Sequence, residues 1–301
     1  MTGVDPALAP LLADTRMAVR PCPQNVPLAT YRTAVDTFMA QARGPEVGGV
    51  TDLVLAGRRA RLYRPKSVGP HGAILAIHGG GFVFGGLDTH DAIWRQLCKA
   101  SGAAVLACTY RLAPESPAPA AEDDCLENLE WLARNAEKHG LDPKRLAIFG
   151  DSAGGFLALR TASRALAEGI APRHLTLAYP CLDPTCSSAS QTAFAEGHLM
   201  TRAALRWFWE SYLGPSAAMP NDPAALPPTH ILTAEFDPLR DEGEALAERL
   251  GTRGTEVTHH REPGMIHGFL GLPQAAQRAE SALQEIGKLI GYALESSGSR
   301  Q

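Results

Sequence analysis

The segment that most constrains the fold is residues 146–156, where an apolar run stops at a glycine and is followed by one serine and then by two more glycines. The apolar run at 146–149 is followed by Gly-Asp-Ser-Ala-Gly at 150–154, and a helical pattern continues to about 168. The glycines leave room for a turn tight enough to hold Ser152 in a strained conformation at its tip. We therefore predict a strand, a sharp turn and a helix whose positive end points at Ser152.

Short β-like runs recur along the chain and alternate with helical patterns. The eight runs lie at 50–55, 60–65, 73–77, 103–108, 146–149, 175–179, 229–234 and 256–260. A turn at 56–59 predicts that the first two form an antiparallel hairpin. The continuously apolar runs at 73–77 and 103–108 are typical of parallel strands that are buried on both faces. Helical patterns at about 88–101 and 119–138 complete the alternation, so the predicted fold is α/β, with a mostly parallel, eight-stranded sheet flanked by helices.

Two segments do not fit this alternation, and we interpret both as parts of a helical cap. Residues 1–45 contain two amphipathic helical pieces separated by a proline-rich stretch, and the long insertion at 181–228 contains an aromatic-rich helical pattern. Long insertions in compact folds are usually lids or binding elements. The predicted organisation is a single domain with N-terminal cap helices at 1–45, a core at 46–180 and 229–294, a cap insertion at 181–228 and a disordered tail at 295–301.

The composition is that of a globular chain and excludes several classes of partner. Of 301 residues, 45% are hydrophobic and 20% charged, which is enough to bury a substantial core. The net charge is −4 and no dense Lys/Arg block occurs, so neither nucleic acid nor an anionic membrane surface is an expected partner. No apolar run is long enough to span a membrane and no signal peptide is recognisable, so a cytoplasmic location is expected.

The cysteine pattern favours free thiols. The six cysteines are Cys22, Cys98, Cys108, Cys125, Cys181 and Cys186. They are scattered, and several lie in apolar stretches, which is typical of buried thiols rather than disulfides. Cys181 and Cys186 lack the second pair of ligands that a zinc site needs, so no metal site is predicted.

A glycine loop follows the run at 73–77 and is a candidate for binding negative charge. His-Gly-Gly-Gly at 78–81 lets backbone N–H groups turn toward the pocket that holds Ser152. The predicted oxyanion-hole donors are the N–H groups of Gly80, Gly81 and Ala153. A flexible hinge is the alternative interpretation of the loop. Candidate substrate-binding side chains are Phe82, Trp207 and Phe208, although the tryptophans of the insertion have an alternative role in packing it onto the core.

A general base and an orienting acid are expected after later strands. Asp237 follows the run at 229–234 and precedes a proline, whereas Asp241 and Glu242 fit the first turn of the next helix. His267 lies between glycines after the last run. The order Ser152, Asp237, His267 predicts a triad in which His267 takes the serine proton, Asp237 fixes the histidine tautomer, and an acyl-enzyme forms and is hydrolysed.

With these motifs, the chain resembles the bacterial hormone-sensitive-lipase-like family of α/β hydrolases, the family IV carboxylesterases, in the branch whose serine turn reads Gly-Asp-Ser-Ala-Gly. The resemblance also includes Tyr-Arg-Leu-Ala-Pro-Glu at 110–115, Asp-Pro-Leu-Arg-Asp-Glu at 237–242 and Met-Ile-His-Gly-Phe at 265–269. It implies an α/β-hydrolase fold with a helical cap and a cofactor-free serine carboxylesterase for short- to medium-chain acyl esters. It also implies a possible homodimer through the edge strand expected after Thr255. The segment at 220–228 is shorter than the family pattern. In relatives this segment lies near the acyl pocket, so its length affects the shape of the pocket and the preferred acyl-chain length.

Two alternative functions share these motifs. An amidase, peptidase or lactonase could use the same triad, because leaving-group preference depends on pocket geometry. A non-catalytic ligand-binding protein on the same fold is the alternative from another class. Receptors related to the family have lost the histidine, whereas His267 is present here. The preferred hypothesis is therefore a carboxylesterase that acts on a small-molecule ester.

Overall fold

The centre of the molecule is one eight-stranded sheet, described in a computed structural model that covers residues 3–214 and 226–296. The strands are β1 (Gly49–Leu55), β2 (Arg58–Arg64), β3 (His71–Ile77), β4 (Ala104–Cys108), β5 (Leu141–Asp151), β6 (His174–Ala178), β7 (Thr229–Phe236) and β8 (Val257–Ile266). Their order is β1-β2-β4-β3-β5-β6-β7-β8. Strand β2 runs antiparallel to β1 and β4, and all other neighbours are parallel. The predicted mostly parallel sheet is confirmed.

Helices cover both faces of this sheet. They are α1 (Ala9–Ala13), α2 (Leu28–Met39), α3 (Asp91–Ser101), α4 (Ala120–Asn135), α5 (Ala153–Ala167), α6 (Ala189–Ala193), α7 (Arg202–Leu213), α8 (Arg240–Thr252) and α9 (Ala276–Glu295). Alternate side chains of β3 point to opposite faces. Ile74 packs in one layer with Trp94 of α3 and Ile286 of α9, whereas Leu75 packs in the other with Leu157 of α5. The core therefore consists of two apolar layers, one on each side of the sheet.

The β1–β2 hairpin turn is shorter than predicted. Only Ala56 and Gly57 connect the strands, and both have positive φ, at 48° and 81°. A two-residue turn of this kind matches the twist of the paired strands. Arg58 and Arg59, which were assigned to the turn, therefore pair with residues of β1 instead.

Strand β8 continues beyond its predicted end at 260. This strand lies at the edge of the sheet, so one of its sides has no partner strand, and a proline such as Pro263 is tolerated there. The register with β7 shifts between Ala234 and Phe236, and the pairing resumes at Ile266. This extension places His267 directly after the strand. Pairing of this edge with a second copy stays a prediction.

The N-terminal segment and the insertion contact each other. The N–H of Val19 donates a hydrogen bond to the carbonyl of Leu199 at 2.7 Å, and the hydroxyl of Thr201 donates to the carbonyl of Val19 at 2.7 Å. Tyr31 of α2 packs edge-to-face on Trp207 of α7. Two segments far apart in sequence thus form one contact region.

Two features named from the sequence fall largely outside the described residues. Residues 220–225 of the short segment at 220–228, and residues 297–301 of the C-terminal tail, are not described. Glu295, assigned to the tail, is the last residue of α9.

All six cysteines are free; five are buried and Cys22 is half-buried.

Candidate active site

Ser152 occupies the sharp turn between β5 and α5. Its φ is 54° and its ψ is −123°, a strained conformation for a residue with a side chain. A Cβ atom on Gly150 would lie 2.1 Å from the carbonyl oxygen of Gly154, and one on Gly154 would lie 2.2 Å from that of Ile77. Only glycine fits at these two positions. The predicted strand, turn and helix are therefore present.

His267 bridges Ser152 and Asp237. Its Nδ1 atom lies 2.8 Å from Oδ2 of Asp237, and its Nε2 atom lies 2.9 Å from Oγ of Ser152. Because a carboxylate only accepts hydrogen bonds, Nδ1 carries the proton and Nε2 is left to accept one from the serine hydroxyl. The other Asp237 oxygen accepts a hydrogen bond from the N–H of Leu239 at 2.7 Å, which fixes the carboxylate.

The topology brings these three side chains together. Ser152 follows β5, Asp237 follows β7 and His267 follows β8, and these parallel strands end at the same edge of the sheet. All three side chains are largely buried, and Asp237 is completely so. The pair of Asp237 and His267 is therefore shielded from water, which strengthens its electrostatic interaction.

Two of the predicted anion-binding donors belong to residues that line the same cavity as Ser152, and the third belongs to the residue that follows it. The N–H groups of Gly80, Gly81 and Ala153 have no hydrogen-bond acceptor within the described part of the chain. Gly80, Gly81, Ser152 and His267 all line one cavity. Free backbone N–H groups beside a serine can stabilise negative charge that develops on a substrate oxygen.

A buried polar cluster that was not predicted from the sequence supports the glycine loop. Asp151 accepts a hydrogen bond from the N–H of Gly79 at 3.0 Å, and one of its oxygens lies 3.3 Å from Nε2 of His90. Burial works to raise the pKa of Asp151, but His90 and the Gly79 N–H outweigh it and lower that pKa. Burial lowers the pKa of His78 to about 4, and the Tyr110 hydroxyl donates to the His78 carbonyl at 3.0 Å. The sequence feature that could have indicated a role for Asp151 is its position in the Gly-Asp-Ser-Ala-Gly motif, directly before the serine.

The cavity beside Ser152 is mostly apolar. Its apolar side chains are Val19, Val35, Phe38, Met39, Phe84, Ile93, Leu199, Met200 and Leu272. The N-terminal segment, including α2, supplies four of them, and the insertion supplies Leu199 and Met200. Both segments interpreted as a cap therefore reach the cavity.

None of the three aromatic side chains proposed to bind substrate lines this cavity. Phe82 is buried and stacks on Tyr212 of α7 at 4.0 Å between ring centroids. Phe208 is buried so close to the glycine loop that a Cβ atom on Gly81 would lie 2.4 Å from its ring. Trp207 is half-buried against Tyr31. The three rings pack the insertion onto the rest of the molecule.

The described part of the chain contains neither a metal-binding cluster nor a membrane-spanning helix. Within 3–214 and 226–296, no group of three or more His, Cys, Asp or Glu side chains is placed to hold a metal ion. No helix among these residues has the length and apolar character needed to cross a membrane.

A mostly parallel sheet that presents a serine, an acid and a histidine, in this chain order, at the ends of three of its parallel strands defines the class of α/β hydrolases. Comparison with known proteins agrees. The sequence pattern of a family described as alpha/beta hydrolase fold matches residues 74–271, and the chain belongs to this family.

Several proteins similar to this chain are named as ester hydrolases. The chain is 35% identical to carboxylic ester hydrolase LipN of Mycobacterium tuberculosis, over 94% of this chain and 81% of the relative. It is 37% identical to ethyl acetate hydrolase of Pseudomonas putida, over 78% and 80% of the two chains. The hyperthermophilic esterase of Pyrobaculum calidifontis superposes with a TM-score of 0.87 at 33% identity, covering 98% of this chain and 100% of that one. The protein is a carboxylesterase of the hormone-sensitive-lipase-like group.

Proposed function

We propose that this carboxylesterase hydrolyses short- to medium-chain acyl esters through a triad of Ser152, His267 and Asp237. The observation that carries the proposal is the placement of His267, with Nε2 2.9 Å from the serine oxygen and Nδ1 2.8 Å from the carboxylate. Both distances lie within hydrogen-bond reach, which a base and its orienting acid require.

The proposed acylation step uses each member of the site once. His267 removes the Ser152 proton at Nε2 while the serine oxygen bonds to the ester carbonyl carbon. The resulting oxyanion accepts hydrogen bonds from the N–H groups of Gly80, Gly81 and Ala153. When the tetrahedral intermediate collapses, the bond to the alcohol oxygen breaks and His267 gives that oxygen its proton.

Deacylation repeats the sequence with water. His267 removes a proton from water as the water oxygen bonds to the acyl carbon. When this second tetrahedral intermediate collapses, the bond between the acyl carbon and Oγ of Ser152 breaks, His267 returns the proton to Ser152 and the carboxylic acid leaves. Asp237 stays ionised throughout and stabilises the imidazolium that forms in each half-reaction. No cofactor is required by these steps.

The cavity supports an apolar, neutral substrate. Its lining side chains beyond the reacting groups are mainly apolar, so it favours alkyl groups through burial of apolar surface. Residues 1–45 and the insertion at 181–228 form its cap in this proposal, because both contribute lining side chains. A relative is named ethyl acetate hydrolase, which agrees with a short acyl chain.

The test is hydrolysis of p-nitrophenyl acetate, butyrate and octanoate by the intact protein and by Ser152→Ala. We expect turnover on the shorter esters and a loss on the order of 10⁶ in kcat for Ser152→Ala, as for other triad serines. The matched control is Ser281→Ala, because Ser281 is exposed on α9. Equally slow hydrolysis by all three proteins would exclude ester hydrolysis by this site and favour a ligand-binding role. Cleavage of the matching anilides faster than the esters would instead favour an amidase.

A further inference from the structure

Helix α2 contacts both the cavity and the glycine loop. Val35, Phe38 and Met39 line the cavity. Arg32 and Asp36, one helical turn apart, lie beside these residues on the same broad face of the helix and bond to the segment that follows the oxyanion donors. Helix α2 therefore contacts both the cavity proposed to bind the substrate and the glycine loop proposed to stabilise the transition state.

Arg32 binds two loops at once. Its Nε donates to the carbonyl of Val83 at 2.6 Å, and its Nη2 donates to the carbonyl of Ala113 at 2.8 Å. Both Nη atoms also donate to the carboxylate of Glu115 at 2.7 Å. The side chain of Arg32 is only 19% exposed. A planar guanidinium with several donors suits such multiple contacts, and a lysine ammonium does not.

Asp36 holds the same loop two residues further along. Its Oδ1 atom accepts a hydrogen bond from the N–H of Gly85 at 3.0 Å. Gly85 has a φ of +94°, and a Cβ atom there would lie 2.6 Å from the Gly79 carbonyl oxygen. The loop therefore folds back closely on its own beginning at the point that Asp36 holds.

These contacts lie next to one of the proposed oxyanion donors. The N–H groups of Val83 and Phe84 both donate to the carbonyl of Gly80 at 3.0 Å. That carbonyl belongs to the same planar peptide unit as the N–H of Gly81, and in a trans unit the two point in opposite directions. Holding Val83 and Gly85 thus fixes the turn that orients the Gly81 N–H.

The inner side of the loop has separate supports. Asp151 accepts from the N–H of Gly79, and the N–H of Ala113 donates to the carbonyl of Phe82 at 2.9 Å. These partners belong to the sheet and its connections, whereas Arg32 and Asp36 belong to the N-terminal segment. The loop is therefore held between two parts of the chain, and the outer part is α2.

We propose that Arg32 and Asp36 are positioning residues, which hold the glycine loop from α2 so that the Gly81 N–H faces the substrate oxyanion. The inference rests on the proposed function. In this proposal, packing of α2 against the glycine loop has two effects: it closes the cavity, and it completes the geometry of the oxyanion hole.

The first test compares kcat and KM on p-nitrophenyl butyrate for Arg32→Gln, Arg32→Lys, Asp36→Ala and Asp36→Asn. Misplaced donors weaken binding of the transition state more than of the ester, so kcat should fall about 10- to 100-fold in Arg32→Gln and Asp36→Ala, with KM little changed. Arg32→Lys should not restore kcat. Asp36→Asn should lie much closer to the unmodified protein than Asp36→Ala, because its amide oxygen can still accept from Gly85.

Arg16→Gln is the matched control. Arg16 also belongs to the N-terminal segment and forms a two-bond pair with a carboxylate, that of Asp14, but it is exposed and makes no contact with the loop. The kcat of the Arg16→Gln variant should equal that of the unmodified protein. A raised KM with unchanged kcat in the Arg32 and Asp36 variants would mean that α2 only shapes the cavity, and would overturn the proposal.

A second measurement does not depend on activity. Hydrogen exchange of peptides that cover residues 79–86 should be faster in Arg32→Gln than in Arg16→Gln, with the strands of the sheet unchanged. Unchanged exchange in this loop would overturn the proposal. If the intact protein and Ser152→Ala hydrolyse esters equally slowly, the proposed function fails, while loop exchange still decides whether α2 holds the loop.

Discussion

The carboxylate of Asp151 accepts a hydrogen bond from the backbone N–H of Gly79 at 3.0 Å and so joins the serine turn to the glycine loop. The two segments come from different strands, β5 and β3, and each carries proposed oxyanion donors. Asp151 is buried, and its contact with His90 connects it further to the start of α3. One carboxylate therefore sets the spacing between the two halves of the proposed oxyanion hole.

Replacing Asp151 with alanine should impair both stability and turnover. The buried N–H of Gly79 would lose its acceptor, which costs about 1–3 kcal/mol of unfolding free energy. The loop would also be free to shift, so kcat should fall while KM changes less. Urea unfolding and steady-state kinetics measure the two effects. Asp88→Ala is the control, since Asp88 is exposed, and a kcat equal to that control would show that Asp151 does not align the loop.

Asp237→Asn should inactivate the protein without unfolding it. The side-chain shape is retained, and the amide oxygen can still accept from the N–H of Leu239. The amide nitrogen, however, cannot accept from Nδ1 of His267, so the histidine adopts the wrong tautomer. A loss of about 10⁴ in kcat is expected, as for a triad aspartate in a serine protease.

Asp241→Asn serves as the comparison for that variant. Asp241 lies in the first turn of α8 and accepts from the N–H of Ser190, away from His267. The Asp241→Asn variant should retain most of the turnover of the unmodified protein. Equal activity of the two variants would contradict the assignment of Asp237 as the orienting acid.

The parts of the fold that sequence could predict are those fixed by local chemistry. The turn at Ser152 needs glycines at 150 and 154, and parallel strands need continuous apolar runs, so both leave a direct trace in the residues. The expected positions of Asp237 and His267 follow from strand ends and chain order. These requirements act over a few residues, which is why they can be recognised without coordinates.

The parts that escaped prediction depend on contacts between distant segments. Arg32 and Val83 are 51 positions apart, and nothing in either local pattern indicates their bond. Phe82 was a candidate for binding substrate, but its backbone has a φ of 65° and its side chain stacks on Tyr212 instead of lining the cavity beside Ser152. An apolar side chain can serve a core or a pocket equally well, and only the backbone direction decides between them.

The cavity makes chain-length preference testable. Val35 lines it from α2, so Val35→Phe should narrow the space available to longer acyl groups. The ratio of kcat/KM for octanoate to that for acetate should fall at least about 10-fold, since even one methylene gained or lost in a hydrophobic pocket is worth roughly 1–3 kcal/mol. Thr37→Phe adds the same ring at an exposed position of α2 and should leave the ratio unchanged. An equal fall in both variants would show that this cavity does not hold the acyl chain.

Two buried histidines on adjacent strands predict an acid-sensitive fold. Burial lowers the pKa of His174 on β6 and of His230 on β7 to about 4, from an ordinary value of 6.5. Between these values the unfolded chain binds protons that the folded chain does not, so stability is full above pH 6.5 and falls as the pH drops toward 4. A shift of this size corresponds to a loss on the order of 3 kcal/mol for each histidine.

Urea unfolding between pH 4 and 7.5 measures this loss. His230→Asn removes one of the titrating groups, and its amide can still bond to the hydroxyl of Thr258, which lies 2.9 Å from Nδ1 of His230. The pH dependence of its unfolding free energy should therefore be shallower than that of the unmodified protein. His139→Asn, at a half-buried site, should keep the original slope. If His230→Asn loses as much stability between pH 6.5 and 4 as the His139 variant, protonation of His230 does not drive acid unfolding.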